Sequence, residues 1–201
     1  MVAVITGDII QSRKSSIEIW MPKLKAILSE YGNSPKDWEI FRGDSFQMIT
    51  TPEQALYVSM IIKAELKKND NIDVRVGIGI GEINFRTNKV TESNGSAFVH
   101  SGSSFDGLKK QTLAIQTPWK EWNKTFLVMI DLAIVIIEKW SEKTAEVMAV
   151  KLKNPSMSQK EIAEVLNKKG QGNISESLKR GGYDELNQLL NYYQETIKKL
   201  C

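Results

Sequence analysis

Cysteine and histidine are nearly absent: the 201 residues include one of each, Cys201 and His100. A lone cysteine cannot close a disulfide within the chain, and a reducing, cytoplasmic setting is expected. A single histidine with no cysteine or histidine partner in range excludes the usual zinc sites. Long apolar runs are missing too. The nearest, Phe126 to Ile137, is interrupted by Asp131 and falls short of the roughly 18 to 20 residues that span a bilayer. The N-terminus shows no basic region followed by an apolar stretch and cleavage site, so neither a signal peptide nor a membrane partner is expected.

What is present is the composition of an ordinary globular protein, 41% hydrophobic and 25% charged. The charge is unevenly placed. Residues 1–150 carry 18 basic and 18 acidic side chains, whereas 151–201 carry 9 and 6. The net charge of +3 thus belongs to the last quarter, the sign expected of a segment that meets nucleic acid.

Hydrophobic periodicity orders the first 117 residues as strand, helix, hairpin, helix, strand, helix and strand. Val2 to Thr6 is a short buried strand ending at Gly7-Asp8. Ser16 to Tyr31 has helical spacing, and Glu39 to Met48 reads as a hairpin whose Gly43-Asp44 tip suits a two-residue turn. Pro52 opens a second helix that ends near Lys68. Ile72 to Ile83 is the next strand, Ala97 to Lys110 a short helix, and Thr112 to Thr117 an edge strand. This is the split βαβ order of an α+β, ferredoxin-like or palm domain. In that topology the first strand lies antiparallel beside the third, which brings Asp8 and Asp44 to one edge of the sheet. Paired carboxylates there can hold a divalent metal, Mg2+ being the expected cofactor, against phosphate. The alternative is that both are turn formers.

Val74 to Glu82 alternates strictly, so Gly77, Gly79 and Gly81 share one face and Val76, Ile78 and Ile80 the other. A face without side chains admits a ligand or a close-packed helix. The five tryptophans fall mostly at periodic apolar positions and read as core.

From Pro118 the pattern is helical. Trp119 to Leu152 reads as one long linking helix over 118–154, with a break near Ser141. Residues 155–201 then read as an all-α helix-turn-helix module. Ser158 and Glu161 form a capping box, Ala163 is the small residue at the helix crossing, and Asn173 to Arg180 is the recognition helix with Ile174 and Leu178 inward. Gln171, Asn173, Ser175 and Ser177 are candidates for base edges or phosphates, and Lys179 and Arg180 for phosphates. A helical tail for protein contacts is the alternative. Leu186, Leu189, Leu190, Tyr193 and Ile197 form a stripe on the last helix, which packs either on its own chain or on a second copy, making a homodimer.

Thr6-Gly7-Asp8-Ile9, Phe41-Arg42-Gly43-Asp44-Ser45-Phe46 and Val74-Arg75-Val76-Gly77-Ile78 with Gly81-Glu82 resemble the class III nucleotidyl cyclase palm over roughly the first 115 residues. That resemblance implies that Asp8 and Asp44 hold metal ions against a nucleoside triphosphate. Where cyclases carry an asparagine and an arginine on the helix after the glycine strand, this chain has His100 and Ser104, which argues against cyclase activity while leaving nucleotide binding open. The whole chain resembles the SatD family of bacterial proteins, through Glu92-Ser93-Asn94-Gly95-Ser96-Ala97-Phe98, the hairpin and the C-terminal helix-turn-helix. The nucleotide contacts expected beside these motifs are Ile9, Ser12, Arg13, Arg42, Gly43, Asn94 and Ser96. Ser12, Arg13 and Arg42 read equally as solvated loop residues. The expectation is a DNA-binding transcription regulator whose first domain senses a nucleotide-like ligand or is a degenerate cyclase-like one. The rivals are a metal-dependent nucleotidyl transferase or phosphohydrolase using Asp8 and Asp44, and an assembly protein with neither activity.

Overall fold

A computed structural model describes residues 1–12, 16–68, 72–167 and 171–201, the Gln171 side chain excepted. Five strands and eight α-helices follow one another among those residues: β1 (Val2–Ile10), α1 (Ile17–Ser29), β2 (Trp38–Phe41), β3 (Ser45–Thr50), α2 (Ala55–Lys67), β4 (Asp73–Gly81), α3 (Ser96–Asp106), β5 (Leu113–Gln116), α4 (Lys120–Ile137), α5 (Glu142–Lys153), α6 (Gln159–Val165), α7 (Gln171–Gly181) and α8 (Tyr183–Leu200). The sheet order is β2-β3-β1-β4-β5. β1 runs antiparallel to β3 and β4, and only β5 lies parallel to its neighbour. The mixed α+β class read from the sequence is the class observed.

Alternation along β1 decides which face each residue meets. Ala3, Ile5 and Ile9 join the main core with α1 and α2, whereas Val4 packs with Ile49, Val90 and Ala97 under α3. α1 earns its place by the spacing of Trp20, Leu24, Ile27 and Leu28, all buried, and Ser16 caps it by accepting the Glu18 N–H. α2 is buried on every side, from Ala55 through Leu66, because the sheet lies on one flank and α5 on the other.

The glycine stripe of β4 is filled by α3. A Cβ built on Gly79 would lie 2.1 Å from the Ser101 nitrogen and 2.3 Å from the Ala97 oxygen. One on Gly77 would meet Phe105 backbone at 2.5 Å, and one on Gly81 the Ser96 Oγ at 2.5 Å. Of the two uses open to a bare strand face, close helix packing is the one realised, and the ligand use is excluded along the length that α3 covers. His100 and Ser104 serve the same packing: His100 Nδ1 lies 2.6 Å from the Ile80 carbonyl oxygen, and Ser104 Oγ donates to the Ile78 carbonyl at 3.1 Å.

One expectation needs correction and another is sharpened. Phe41 pairs with Ser45, so the hairpin tip is the three-residue loop Arg42-Gly43-Asp44, not a two-residue turn. Arg42 and Gly43 both take positive φ, 51° and 92°, which turns the chain within that length. The break expected near Ser141 is present and divides the linking segment into two helices. α4 ends at Ile137, and Ser141 caps α5 by accepting the Thr144 N–H. α4, α5 and α8 do not stand apart from the sheet: Phe126, Ile130, Met148, Leu186 and Tyr193 belong to the same buried cluster as the β-strands, and Tyr193 Oη donates to the Pro52 carbonyl at 2.7 Å. Leu186, Leu190, Tyr193 and Ile197 of the α8 stripe are therefore buried within their own chain, and Leu189 is left half-buried.

Candidate ligand-binding end of the sheet and candidate nucleic-acid interface

Register brings the two aspartates together. Asp8 stands opposite Ser45 on β3, the residue after Asp44, and the Ile9 N–H donates to the Asp44 carbonyl at 3.2 Å. On its other side Asp8 stands opposite Arg75 of β4. Arg75 grips it with two nitrogens: Nε donates to Oδ1 at 2.9 Å and a terminal nitrogen donates to Oδ2. The same guanidinium lies over the Phe105 ring, 5.3 Å from its centroid. The bond to Asp8 is the main cause that raises the Arg75 pKa, against a smaller opposing effect of burial. Asp44 is engaged as well, accepting from Ser12 Oγ at 2.5 Å.

A short polar chain continues along this face. Gln47 Nε2 donates to Thr6 Oγ1 at 3.2 Å, and Thr6 shares a hydrogen bond of 3.0 Å with Ser101 Oγ on α3. The end of the sheet beyond α3 thus presents a guanidinium, two carboxylates, hydroxyls and a carboxamide, with Arg75 40% and Asp8 18% exposed.

The other expected nucleotide contacts divide into three groups. Arg42 and Gly43 are exposed on the hairpin tip beside Asp44, within the same cluster of loops. Ile9 is buried in the core face of β1 and can offer the site only its backbone. Asn94 and Ser96 are at the other end of the sheet. Ser96 Oγ accepts the Glu82 N–H at 2.9 Å, and Asn94 pairs with Phe85. Gly81, under Ser96, stands opposite Val2, six positions along β1 from Asp8. At about 3.3 Å per residue that is about 20 Å, so Asn94 and Ser96 do not share a site with the aspartates. Arg13 lies outside the described residues.

Arg75 is the residue that sequence reasoning passed over. Its signal was available: in an antiparallel pairing of β1 with β4, a charged residue on the glycine face falls beside Asp8.

Magnesium was the group expected here. Both Asp8 oxygens are committed to Arg75 and one Asp44 oxygen to Ser12, and no cluster of three or more acidic, histidine or cysteine side chains exists among the described residues. As arranged, this donor set does not fit a resident divalent ion, which takes oxygens free of a competing cation.

The C-terminal helices form the second candidate. α6 starts with the foreseen capping box: Ser158 accepts the Glu161 N–H, and Glu161 accepts the Ser158 N–H at 2.7 Å. Ala163 is buried where α7 meets α6, and Ile174 and Leu178 point inward. Asn173, Ser175, Lys179 and Arg180 are on the exposed side of α7 and Ser177 is half-buried. Gln171 opens the helix, with its side chain outside the described residues. Glu176 sits in the middle of the exposed face and pairs with Arg180 at 3.0 Å. A groove lined by Ser141, Lys143, Asn173, Ser177 and Arg180 separates α7 from the start of α5. The crossing is locked from below, where Trp140 Nε1 donates to the Gly181 carbonyl at 2.9 Å and Gly181 sits against Met148.

No helix among the described residues is long and apolar enough to cross a membrane. No curated protein matches the chain. The family model for SatD proteins matches residues 1–190, nearly the whole chain, with both candidate sites inside it. The chain belongs to the SatD family.

Proposed function

We propose that this protein is a DNA-binding regulator: α6 and α7 act as a helix-turn-helix, and the α+β part is a palm-like, ferredoxin-like domain that senses a nucleotide-like ligand. The observation that carries the DNA reading is the division of α7. Ile174 and Leu178 hold it against the rest of the chain, while Asn173, Ser175, Lys179 and Arg180 are left outward. That is what a recognition helix needs, since amides and hydroxyls read base edges and cations fix the phosphates. The test is enrichment of genomic fragments by the whole chain. A reproducible enriched sequence that is lost with Asn173→Ala and Ser175→Ala is expected, and uniform recovery of all fragments would overturn sequence-specific reading.

For the α+β part, the polar end of the sheet supports a sensor. Arg75 is half-open, stacked on Phe105 and already gripping a carboxylate with the planar fork that suits phosphate. A phosphate-bearing ligand would exchange places with the Asp8 carboxylate. A metal-dependent nucleotidyl transferase or phosphohydrolase remains the second reading, because β1 and β3 do set Asp8 and Asp44 side by side. It would require Arg75 to leave Asp8 first. Titration of nucleoside triphosphates with and without magnesium separates the two: a sensor of this kind binds without the metal and loses affinity with Arg75→Gln. An enzyme binds only with the metal, and turns its ligand over.

A further inference from the structure

α4 carries two apolar stripes where the chain itself uses one. Phe126, Ile130, Ala133 and Ile137 are buried against the core. At 3.6 residues per turn, Val128, Leu132 and Val135 fall on the opposite side, and they are 60%, 66% and 54% exposed. A helix that is apolar all round is normally covered all round. Beside this stripe lies an apolar groove of 470 Å³ between α4 and α8, lined by Met129, Leu132, Ile136, Leu189 and Tyr192.

The outer stripe has an order of its own. Glu121, Thr125, Val128, Leu132 and Val135 recur at alternating steps of four and three, the seam of a helix pair, and Lys139, in the turn two residues past the end of α4, continues the spacing. The seam is apolar in the middle, acidic at its first residue and basic at its last.

We propose that a second copy of this chain covers the face, with α4 packing antiparallel on the partner's α4 about a two-fold axis beside Ile130. In that register Val128 meets the partner's Leu132, Thr125 meets the partner's Val135, and Glu121 meets the partner's Lys139. Each contact occurs twice, as a two-fold interface requires. A parallel pairing would instead set Glu121 on Glu121 and Lys139 on Lys139, so the charges at the ends select the antiparallel arrangement. Glu121 currently bonds Lys124 at 2.9 Å on an exposed surface, a contact easily exchanged. The area sets a condition on the pairing. α4 and α8 each have 18 residues. That makes each helix about 27 Å long, so α4 alone presents about 270 Å² per copy, and the partner must also cover the groove and its α8 rim to bring the total to about 1,100 Å². A specific interface needs about 1,000 Å². This assignment is independent of DNA binding.

The experiment is sedimentation of the whole chain across the micromolar range, under reductant because Cys201 is exposed and could link copies by a disulfide. The wild type is expected to be a dimer and Leu132→Asp a monomer with an unchanged circular dichroism spectrum. Glu121→Lys alone and Lys139→Glu alone should each weaken the dimer about tenfold by setting like charges together at both ends. The double reversal Glu121→Lys with Lys139→Glu should restore it. A wild type that stays monomeric throughout overturns the proposal and leaves the face to a different protein or a lipid surface. A dimer indifferent to Leu132→Asp overturns it too. Loss with Leu132→Asp but no response to either single reversal overturns the antiparallel register.

Discussion

Asp73 and Arg75 stand two residues apart on β4, and the ion pairs they make are of opposite kinds. Asp73 accepts from Lys63 Nζ at 2.8 Å and from Lys67 Nζ at 3.2 Å. Lys63 has no exposed surface and spends a second hydrogen on the Val74 carbonyl; Lys67 spends one on the Glu138 carbonyl. Burial pushes the Asp73 carboxyl upward, but attraction and hydrogen bonds from the two lysines outweigh it and hold the group below its ordinary value. Burial lowers Lys63, with Asp73 opposing. The Arg75–Asp8 pair is two-pronged and yet lies half-open to water. What separates them is replaceability. Water or a ligand phosphate can stand in for Asp8 at Arg75, and nothing can stand in for Asp73 at Lys63.

The sharpest way to break that contrast is to remove each carboxylate in turn. Asp73→Asn strands a buried cation and should cost about 3 to 5 kcal/mol in urea unfolding. Asp8→Asn should cost about 1 kcal/mol or less, because Arg75 remains solvated. Equal losses would erase the distinction between a structural and an exchangeable pair.

A smaller effect is expected where α3 meets β4. Gly79→Ala drives a methyl into the α3 backbone, and overpacking of this kind costs about 1 to 3 kcal/mol. Gly102, whose added Cβ would meet nothing within 4 Å, gives the control: Gly102→Ala should stabilise by about 0.5 to 1 kcal/mol as a better helix former.

Acid sharpens the comparison further. The folded Asp73 pKa lies below the ordinary 3.8, so the unfolded chain binds the proton first. Its contribution to stability is complete above pH 3.8 and is lost as pH falls through the lower, folded value. The Asp73 share of wild-type stability should therefore be lost in that acid window, and Asp73→Asn should flatten the drop by about 1.4 kcal/mol for each unit of the shift. The smallest effect on stability belongs to Arg75→Gln, expected within about 1 kcal/mol of wild type while it removes nucleotide binding.

Local order was legible in this sequence because its signals are local. The 3–4 spacing of Trp20, Leu24, Ile27 and Leu28, the alternation in β4 and the Ser158–Glu161 capping box each predict the element observed. The juxtaposition of Asp8 with Asp44 followed from strand order alone. The misplaced residues depend on which end of a strand an element adjoins. α3 starts where β4 finishes, and β4 finishes beside the start of β1, so Asn94 and Ser96 had to lie far from Asp8. Lys63 escaped notice inside an apolar run because its partner, Asp73, comes from the next strand. On α4 the two stripes merge into one hydrophobic run broken only by Asp131, and only the structure separates the buried Ile130 from the exposed Leu132.

The most direct test of the account is the salt dependence of duplex DNA binding by the whole chain between about 50 and 200 mM. The logarithm of the binding constant should fall linearly with the logarithm of salt, and Lys179→Ala with Arg180→Ala should reduce that slope by about 2. No binding at the lowest salt, or a slope indifferent to both substitutions, would contradict α7 as the face that meets DNA.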